Sequence, residues 1–250
     1  MTSILKQMLA PAPEVQFLPT IFRRIQQGDI RMPAFQRGFA WKDGQVLELL
    51  ESIYSGYPIG SVLLWRVNEK VLRVEQPRRS YFPEVEERYP THFVLDGLQR
   101  LSSLYAVFHF NATLHPDRFH IHFNPRNQRF VYARDSKPET IPLNVVFRPG
   151  EFVSYHTKLK AMENGDRLVN AAVALLSTFQ EYLLPLVTIV GRDVKDVVAI
   201  FERINNTGTK FGAVDFMRAV TWSERFDLST QLVPLVRSPT KFERRLNERY

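Results

Sequence analysis

An apolar strand that runs directly into a turn and a helix is the feature that most constrains this chain. The run from His92 to Leu95 is typical of a buried strand, and Leu101 to Phe110 carries apolar side chains at helical spacing. Between them stands Asp96-Gly97-Leu98-Gln99-Arg100. A strand that turns sharply into a helix leaves the N–H groups of the first helical turn without intrahelical acceptors. The sequence therefore predicts an anion-binding site at this junction.

The polar side chains of this motif match the chemistry of a phosphate site. Gly97 allows the backbone to turn and a ligand to approach closely. Arg100 can bind phosphate oxygens in a bidentate manner, and Asp96 can hold a divalent metal through oxygen. Gln99 can both donate and accept, as positioning a water or recognising a base requires. Spacing alone leaves another interpretation open, in which Asp96 only caps the helix and Arg100 lies on its solvent face.

Composition narrows the class of protein. The 250 residues are 44% hydrophobic, which supplies a full core, and a net charge of +7 favours polyanionic partners such as nucleic acid or nucleotides. The absence of cysteine excludes disulfides, thiolate zinc sites and cysteine nucleophiles. The first ten residues are too short and interrupted for a signal peptide or a membrane span, so we expect a cytoplasmic protein with no membrane partner.

Periodicity predicts the elements around the motif. We expect helices over 19–28, 43–56 and 193–204, a strand over 61–67, a hairpin over 118–132, and a loosely ordered leader over 1–16. From about residue 168 the pattern is mostly helical, with a strand-like run at 186–190.

Two further polar clusters stand between apolar elements. The segment from Met32 to Trp41 surrounds Gln36, Arg37 and Gly38 with aromatic side chains, which can stack on bases or shield an arginine from water. The helix over 193–204 runs into a turn rich in amides and hydroxyls, Asn205 to Thr209. The alternatives are a hydrophobic loop docked on the core with Arg37 reaching out to solvent, and a simple helix-capping turn.

Together the three clusters resemble the DUF262 family, the N-terminal domain of GmrSD-type modification-dependent restriction systems. The resemblance covers about residues 19 to 220, and Tyr57 to Ser61 is similar to the family's turn before its next strand. Leu98 stands where the family has a first Gln, and Phe211 where it has Leu. The matching positions are Pro33, Phe35, Gln36, Arg37, Phe39 and Trp41, then Asp96, Gly97, Gln99 and Arg100, then Arg203, Asn205, Gly208 and Asp215.

The resemblance implies an α+β fold with a ParB/sulfiredoxin-like core over 17–150 and a mainly helical region over 151–250. It also implies hydrolysis of a nucleoside triphosphate with Mg²⁺ or another divalent cation, coupled to recognition of modified DNA. In this interpretation Asp96, Gln99 and Arg100 are catalytic, with Asp96 as the metal ligand. The phosphates would contact Arg37, Gly97, Arg100, Asn205 and Thr207, and DNA would contact Phe35, Gln36, Phe39 and Trp41.

Two rival functions stay open: a metal-dependent DNA nuclease, and a non-enzymatic sensor of modified DNA. Family members often carry an HNH-type nuclease domain, which here would lie beyond residue 250 or in a partner subunit; self-association into a homo-oligomer also stays open. His120 and His122 alone do not make a convincing HNH element. Alternation along a strand places both side chains on one face, which favours an exposed or hydrogen-bonded pair.

Overall fold

The computed structural model describes residues 11–33, 39–70, 81–191 and 194–205. This part of the chain contains eight strands, six α-helices and three short 3₁₀-helices. The strands are β1 Ala12–Phe17, β2 Ile30–Arg31, β3 Val62–Val67, β4 Thr91–Asp96, β5 Ile121–Asn124, β6 Arg129–Tyr132, β7 Ile141–Pro142 and β8 Leu183–Ile189. The α-helices are α1 Leu18–Gln26, α2 Asp43–Tyr54, α3 Leu98–Phe108, α4 Pro149–Lys160, α5 Gly165–Glu181 and α6 Val194–Asn205, and the 3₁₀-helices are Asp117–Phe119, Ala133–Asp135 and Leu143–Val145.

A mixed five-stranded sheet in the order β1-β8-β3-β4-β2 forms the centre of the fold. Strands β3 and β8 are parallel, as are β2 and β4, whereas β3 pairs antiparallel with β4 and β1 antiparallel with β8. The α+β class is confirmed. β4, which leads into the Asp-Gly motif, lies between β3 and β2, so the motif begins at the end of an internal strand.

Strand β1 was not expected from the sequence, whereas β8 overlaps the strand-like run expected at 186–190. Residues 12–16, expected to be part of a loose leader, form a strand together with Phe17, and this strand pairs with β8 along its whole length. β8 comes from the region expected to be mainly helical, yet it lies inside the main sheet. The reason is that Leu184, Leu186 and Ile189 are buried against the sheet's helices, and burial of this kind depends on distant elements rather than on local periodicity.

Helix α3 lies at the centre of the main core. Nine of its eleven residues are buried, and the two that are not are Gln99 and Arg100. The other face of the main sheet carries a smaller apolar cluster in which Val197 and Phe201 of α6 pack with Trp65, Phe93 and Leu95. The two polar residues of the motif are therefore the only break in an otherwise buried helix.

A second sheet, in the order β6-β5-β7, packs beside α2, where the Tyr54 ring contacts Phe123 and Phe130. The expected hairpin is confirmed as β5 and β6, with Ile121 opposite Tyr132 and Asn124 opposite Arg129. Within the described residues, no helix combines the length and the apolar character needed to cross a bilayer.

Candidate functional site

The junction between β4 and α3 is built on a left-handed glycine. Gly97 is the N-cap of α3 with φ = 85°, a conformation that L side chains adopt only at a cost. A Cβ at this position would lie 3.0 Å from Val62 Cγ2 and 3.2 Å from Arg100 Nη2. Gly97 takes the N-cap position and no described side chain caps the helix, so the interpretation of Asp96 as a capping residue is wrong. Among the described residues, only backbone lies at the N-cap of α3.

Arg100 holds the turn that precedes β3. Its Nη1 donates to the carbonyl of Ile59, and its Nη2 donates to the carbonyl of Ser61 at 2.9 Å. The same Nη2 lies 3.3 Å from Asp96 Oδ2. The Arg100 side chain is only 19% exposed, so its placement on the solvent face of the helix is wrong. A Cβ on Gly60 would lie 2.7 Å from Nη1, so the turn fits this arginine closely because it has a glycine there.

The donors of Arg100 are only partly used by these contacts. A guanidinium has five N–H donors, and the contacts to the two carbonyls and to Asp96 use three of them. The Asp96 carboxylate is 46% exposed, which leaves it accessible from solvent. The junction can therefore offer further N–H donors and a half-exposed carboxylate to a ligand.

Gln99 joins the first motif to the second. Its Oε1 accepts the backbone N–H of Ala40 at 2.8 Å and lies 3.4 Å from the backbone nitrogen of Trp41. These residues are about sixty positions apart in sequence, so only the fold brings them together. The end of the Met32–Trp41 segment therefore lies directly over the start of α3.

The aromatic residues at the end of this segment pack against the protein. The Phe39 ring contacts Tyr81 at 5.3 Å and Phe119 at 5.2 Å, in both cases edge to face. Trp41 is partly buried, and its carbonyl accepts Arg118 Nη1 at 3.3 Å. Phe35, Gln36 and Arg37 lie outside the described residues.

The third motif is described only as far as the end of α6. Asn205 is the last residue of that helix, and Thr207 lies outside the described residues. Because β8 runs parallel to β3, the chain leaves β8 at the end of the sheet opposite Asp96. The next helix, α6, packs on the face of the sheet that carries Phe93 and Leu95. The structure thus brings the first two motifs together by direct contact, whereas α6, which carries the described start of the third, packs on the other face of the sheet.

Sequence reasoning missed an ion-pair network at the other end of β4. Asp29 Oδ1 lies 2.6 Å from His92 Nδ1, and Asp29 Oδ2 accepts Arg24 Nε at 2.6 Å. Burial alone would raise the pKa of the Asp29 carboxyl, but the hydrogen bonds from His92 and Arg24 outweigh it, so the pKa is lowered. In this network Arg24 and Asp29 are 5 positions apart, and Asp29 and His92 are 63 positions apart. No local spacing in the sequence could therefore have indicated the network.

An α+β fold in which the Asp-Gly-x-Gln-Arg helix start contacts the segment before α2 agrees with the DUF262-type domain expected from the sequence. The chain belongs to the family described as the GmrSD restriction endonuclease, N-terminal domain, whose sequence model matches residues 18–222. It is also 26% identical, over 83% of its length, to the uncharacterized protein MJ0686 of Methanocaldococcus jannaschii. The chain spans 43% of that relative, less than half of its length.

Proposed function

We propose that this chain binds the phosphates of a nucleoside triphosphate at the Gly97 turn and couples their hydrolysis to DNA recognition in a restriction system. The observation that carries the proposal is the contact between Gln99 Oε1 and the Ala40 N–H. It places Ala40, three positions after Arg37 in the sequence, at the N-terminus of α3, where a helix dipole and the N–H groups of the first turn favour an anion. Family membership supports the restriction context.

The roles of the chain's residues follow from what each already contacts. Gly97 lets the backbone turn at φ = 85° with Arg100 packed close to it, and Arg100 offers its remaining N–H donors to the phosphate oxygens. Arg37 would add a second guanidinium, and Asn205 with Thr207 would complete the pocket from α6, which enters from the opposite end of the sheet. For phosphoryl transfer, positioning and neutralisation of charge supply most of the catalysis.

The donor set also fits a hard divalent cation. Mg²⁺ is usually held by one or two carboxylates together with substrate phosphates, and Asp96 is a half-exposed carboxylate beside the phosphate site. When bound, the ion would neutralise part of the charge of the phosphates. Gln99, through its amide, would then orient the attacking water, and its contact with Ala40 would report the state of the site to the aromatic loop.

DNA recognition is assigned to the loop and the basic surface. Phe35, Gln36, Phe39 and Trp41 would meet the modified base or backbone, and the net charge of +7 favours the polyanion. Strand cleavage would come from a nuclease domain or subunit. The movement of the loop on its Gln99 anchor would couple the two events.

Phosphate release from each nucleoside triphosphate, with and without Mg²⁺, tests the proposal. We expect turnover by the wild-type chain and its loss in Asp96→Asn, which keeps the shape of the side chain but removes its charge. The matched control is Asp135→Asn, because Asp135 is an exposed carboxylate whose ion pair with Arg134 lies at the surface. Turnover that persists in folded Asp96→Asn would refute the catalytic assignment.

A second candidate function is a non-enzymatic sensor of modified DNA. It is favoured by the hydrogen bonds that Arg100 donates to two backbone carbonyls. In that case the motif is a structural clamp, and the chain binds DNA tightly and in a salt-dependent manner with no nucleotide turnover. Nicking of plasmid by the chain with Mg²⁺ alone would instead indicate a nuclease.

A further inference from the structure

A pair of histidines lies at the far end of α3 from the Gly97 turn. His120 ends a 3₁₀-helix and His122 belongs to β5, and their Nε2 atoms are 3.4 Å apart. The His120 ring stacks on Phe110 at 4.4 Å with an interplanar angle of 10°. Since α3 is about 16 Å long at 1.5 Å per residue, the pair is separate from the candidate phosphate site.

The hydroxyl of Thr140 determines the tautomer of His122. Thr140 Oγ1 donates to the carbonyl of Lys137 at 2.8 Å, so its hydrogen is already used. His122 Nδ1 lies 3.1 Å from the same oxygen and must therefore be the donor of that contact. In a neutral imidazole the other nitrogen is then an acceptor. His122 Nε2 therefore carries a lone pair, and it lies 3.4 Å from His120 Nε2.

The separation of the two Nε2 atoms matches the bite of a metal better than a hydrogen bond. Two imidazoles bound to zinc at 2.0–2.1 Å with a tetrahedral angle have their nitrogens about 3.3–3.4 Å apart. Hydrogen bonds from N–H donors are normally about 2.7–3.2 Å long. We propose that His120 and His122 bind a divalent transition metal ion of the zinc class through their Nε2 atoms.

The surroundings of the pair fit this role. Metal-bound histidines commonly donate their other ring nitrogen to an oxygen, which orients the ring, and Thr140 takes that part for His122. Burial, with a smaller contribution from His120, lowers the pKa of His122 to about 4. The ring is therefore neutral at pH 7, as metal binding requires.

The site supplies two protein ligands. Among the described residues no group of three or more histidines and carboxylates is placed to hold a metal ion, so water would occupy the remaining positions. Imidazole suits Zn²⁺, Cu²⁺ and Ni²⁺, whereas Mg²⁺ prefers oxygen ligands. The site would thus select a different class of ion from the one assigned to Asp96.

Titration of the chelator-treated full chain with Zn²⁺, and with Co²⁺ as a spectroscopic probe, tests the proposal. We expect saturable binding of one ion per chain, in the presence of excess Mg²⁺. His120→Gln and His122→Gln should each weaken binding by roughly tenfold or more, and Thr140→Val, which removes the orienting oxygen, by about 10- to 100-fold. The matched control is His156→Gln, because His156 is exposed on α4.

Equally tight binding in the folded double variant His120→Gln/His122→Gln, or the absence of saturable binding to the wild-type chain, would overturn the proposal. A measurement on the wild-type chain keeps the test decisive if a variant does not fold. Addition of Zn²⁺ should move the ¹⁵N resonances of both Nε2 atoms, and unchanged resonances would exclude the site.

Discussion

Charged side chains lie at both ends of β4, but the groups that they contact differ. At the start of the strand, Asp29 meets His92 and Arg24, so charge is matched by charge among side chains that are at most about one-third exposed. At its end, Arg100 is bound mainly to neutral backbone carbonyls, and its only charged partner in these contacts is the half-exposed Asp96. In the first arrangement, each charged side chain contacts a charged partner within the protein. In the second, further N–H donors of Arg100 and the half-exposed carboxylate of Asp96 can bind a ligand.

This contrast separates a structural network from a candidate binding site. The Asp29 network joins the end of α1 to β4 and needs nothing further. The Arg100 cluster is held together by two glycines and a turn, and its Asp96 carboxylate is half-exposed. Removal of one carboxylate charge at each end should therefore have different effects: Asp29→Asn should lower stability, whereas Asp96→Asn should lower turnover.

The largest effect is expected from Gly97→Ala. The new Cβ would be held at φ = 85° and within 3.0 Å of Val62 Cγ2. A left-handed residue costs about 1–2 kcal/mol and overpacking adds to it, so the free energy of unfolding should fall by about 2–3 kcal/mol. Urea unfolding measures it. Gly150→Ala is the control, since a Cβ there would meet nothing within 4 Å; equal effects at the two glycines would contradict this account of the turn.

A smaller effect is expected from Asp29→Asn, which removes the charge shared by His92 and Arg24. Hydrogen bonds to charged groups contribute about 1.5–3 kcal/mol, and partial exposure reduces this, so we expect a loss of about 1–2 kcal/mol at neutral pH, measured by urea unfolding. Asp135→Asn, at an exposed pair, should cost little.

The same network predicts a pH dependence. The pKa of Asp29 in the folded protein is below its ordinary value of 3.8. Its contribution to stability is therefore fully present above that value and is lost as the pH falls through the lowered pKa. The stability difference between wild type and Asp29→Asn should shrink as the pH is lowered into this range, and a difference that is independent of pH would show that the network acts otherwise.

Next in size is Gln99→Leu, which removes the acceptor of the Ala40 N–H. One hydrogen bond contributes about 0.5–1.5 kcal/mol, so the stability loss should be near 1 kcal/mol. Hydrogen exchange at the Ala40 amide gives the specific readout, because it should become faster while the amides of β5 and β6 are unchanged. Unaltered exchange at Ala40 would show that the contact does not hold the loop.

The smallest effect on stability is expected from Asp96→Asn. Its ion pair with Arg100 is at the surface, where such pairs contribute about 0–1 kcal/mol. Thermal unfolding should barely change, whereas nucleotide turnover should be lost. A large drop in stability would place Asp96 with Asp29 as a structural residue and remove the contrast between the two ends of the strand.

Local patterns predicted the elements well. The strand before Asp96, the helix after it and the hairpin at 118–132 were confirmed because each is specified by the residues within it. The pairing of β1 with β8 was missed, since residues 12–17 and 183–188 depend on each other from opposite parts of the chain. For the site, the motif could be recognised, but the capping role considered for Asp96 was wrong because Gly97 takes the cap position.

The amino-acid sequence by itself determined that a strand would turn at Asp96-Gly97 into a helix, because glycine and the apolar periodicity on either side specify that conformation locally. Only the tertiary structure decided what the motif's side chains contact. Gln99 meets Ala40 across 59 positions, and Arg100 meets Ile59 across 41. Such contacts depend on how β3, β4 and α3 pack together, and that packing is a property of the whole core rather than of any segment.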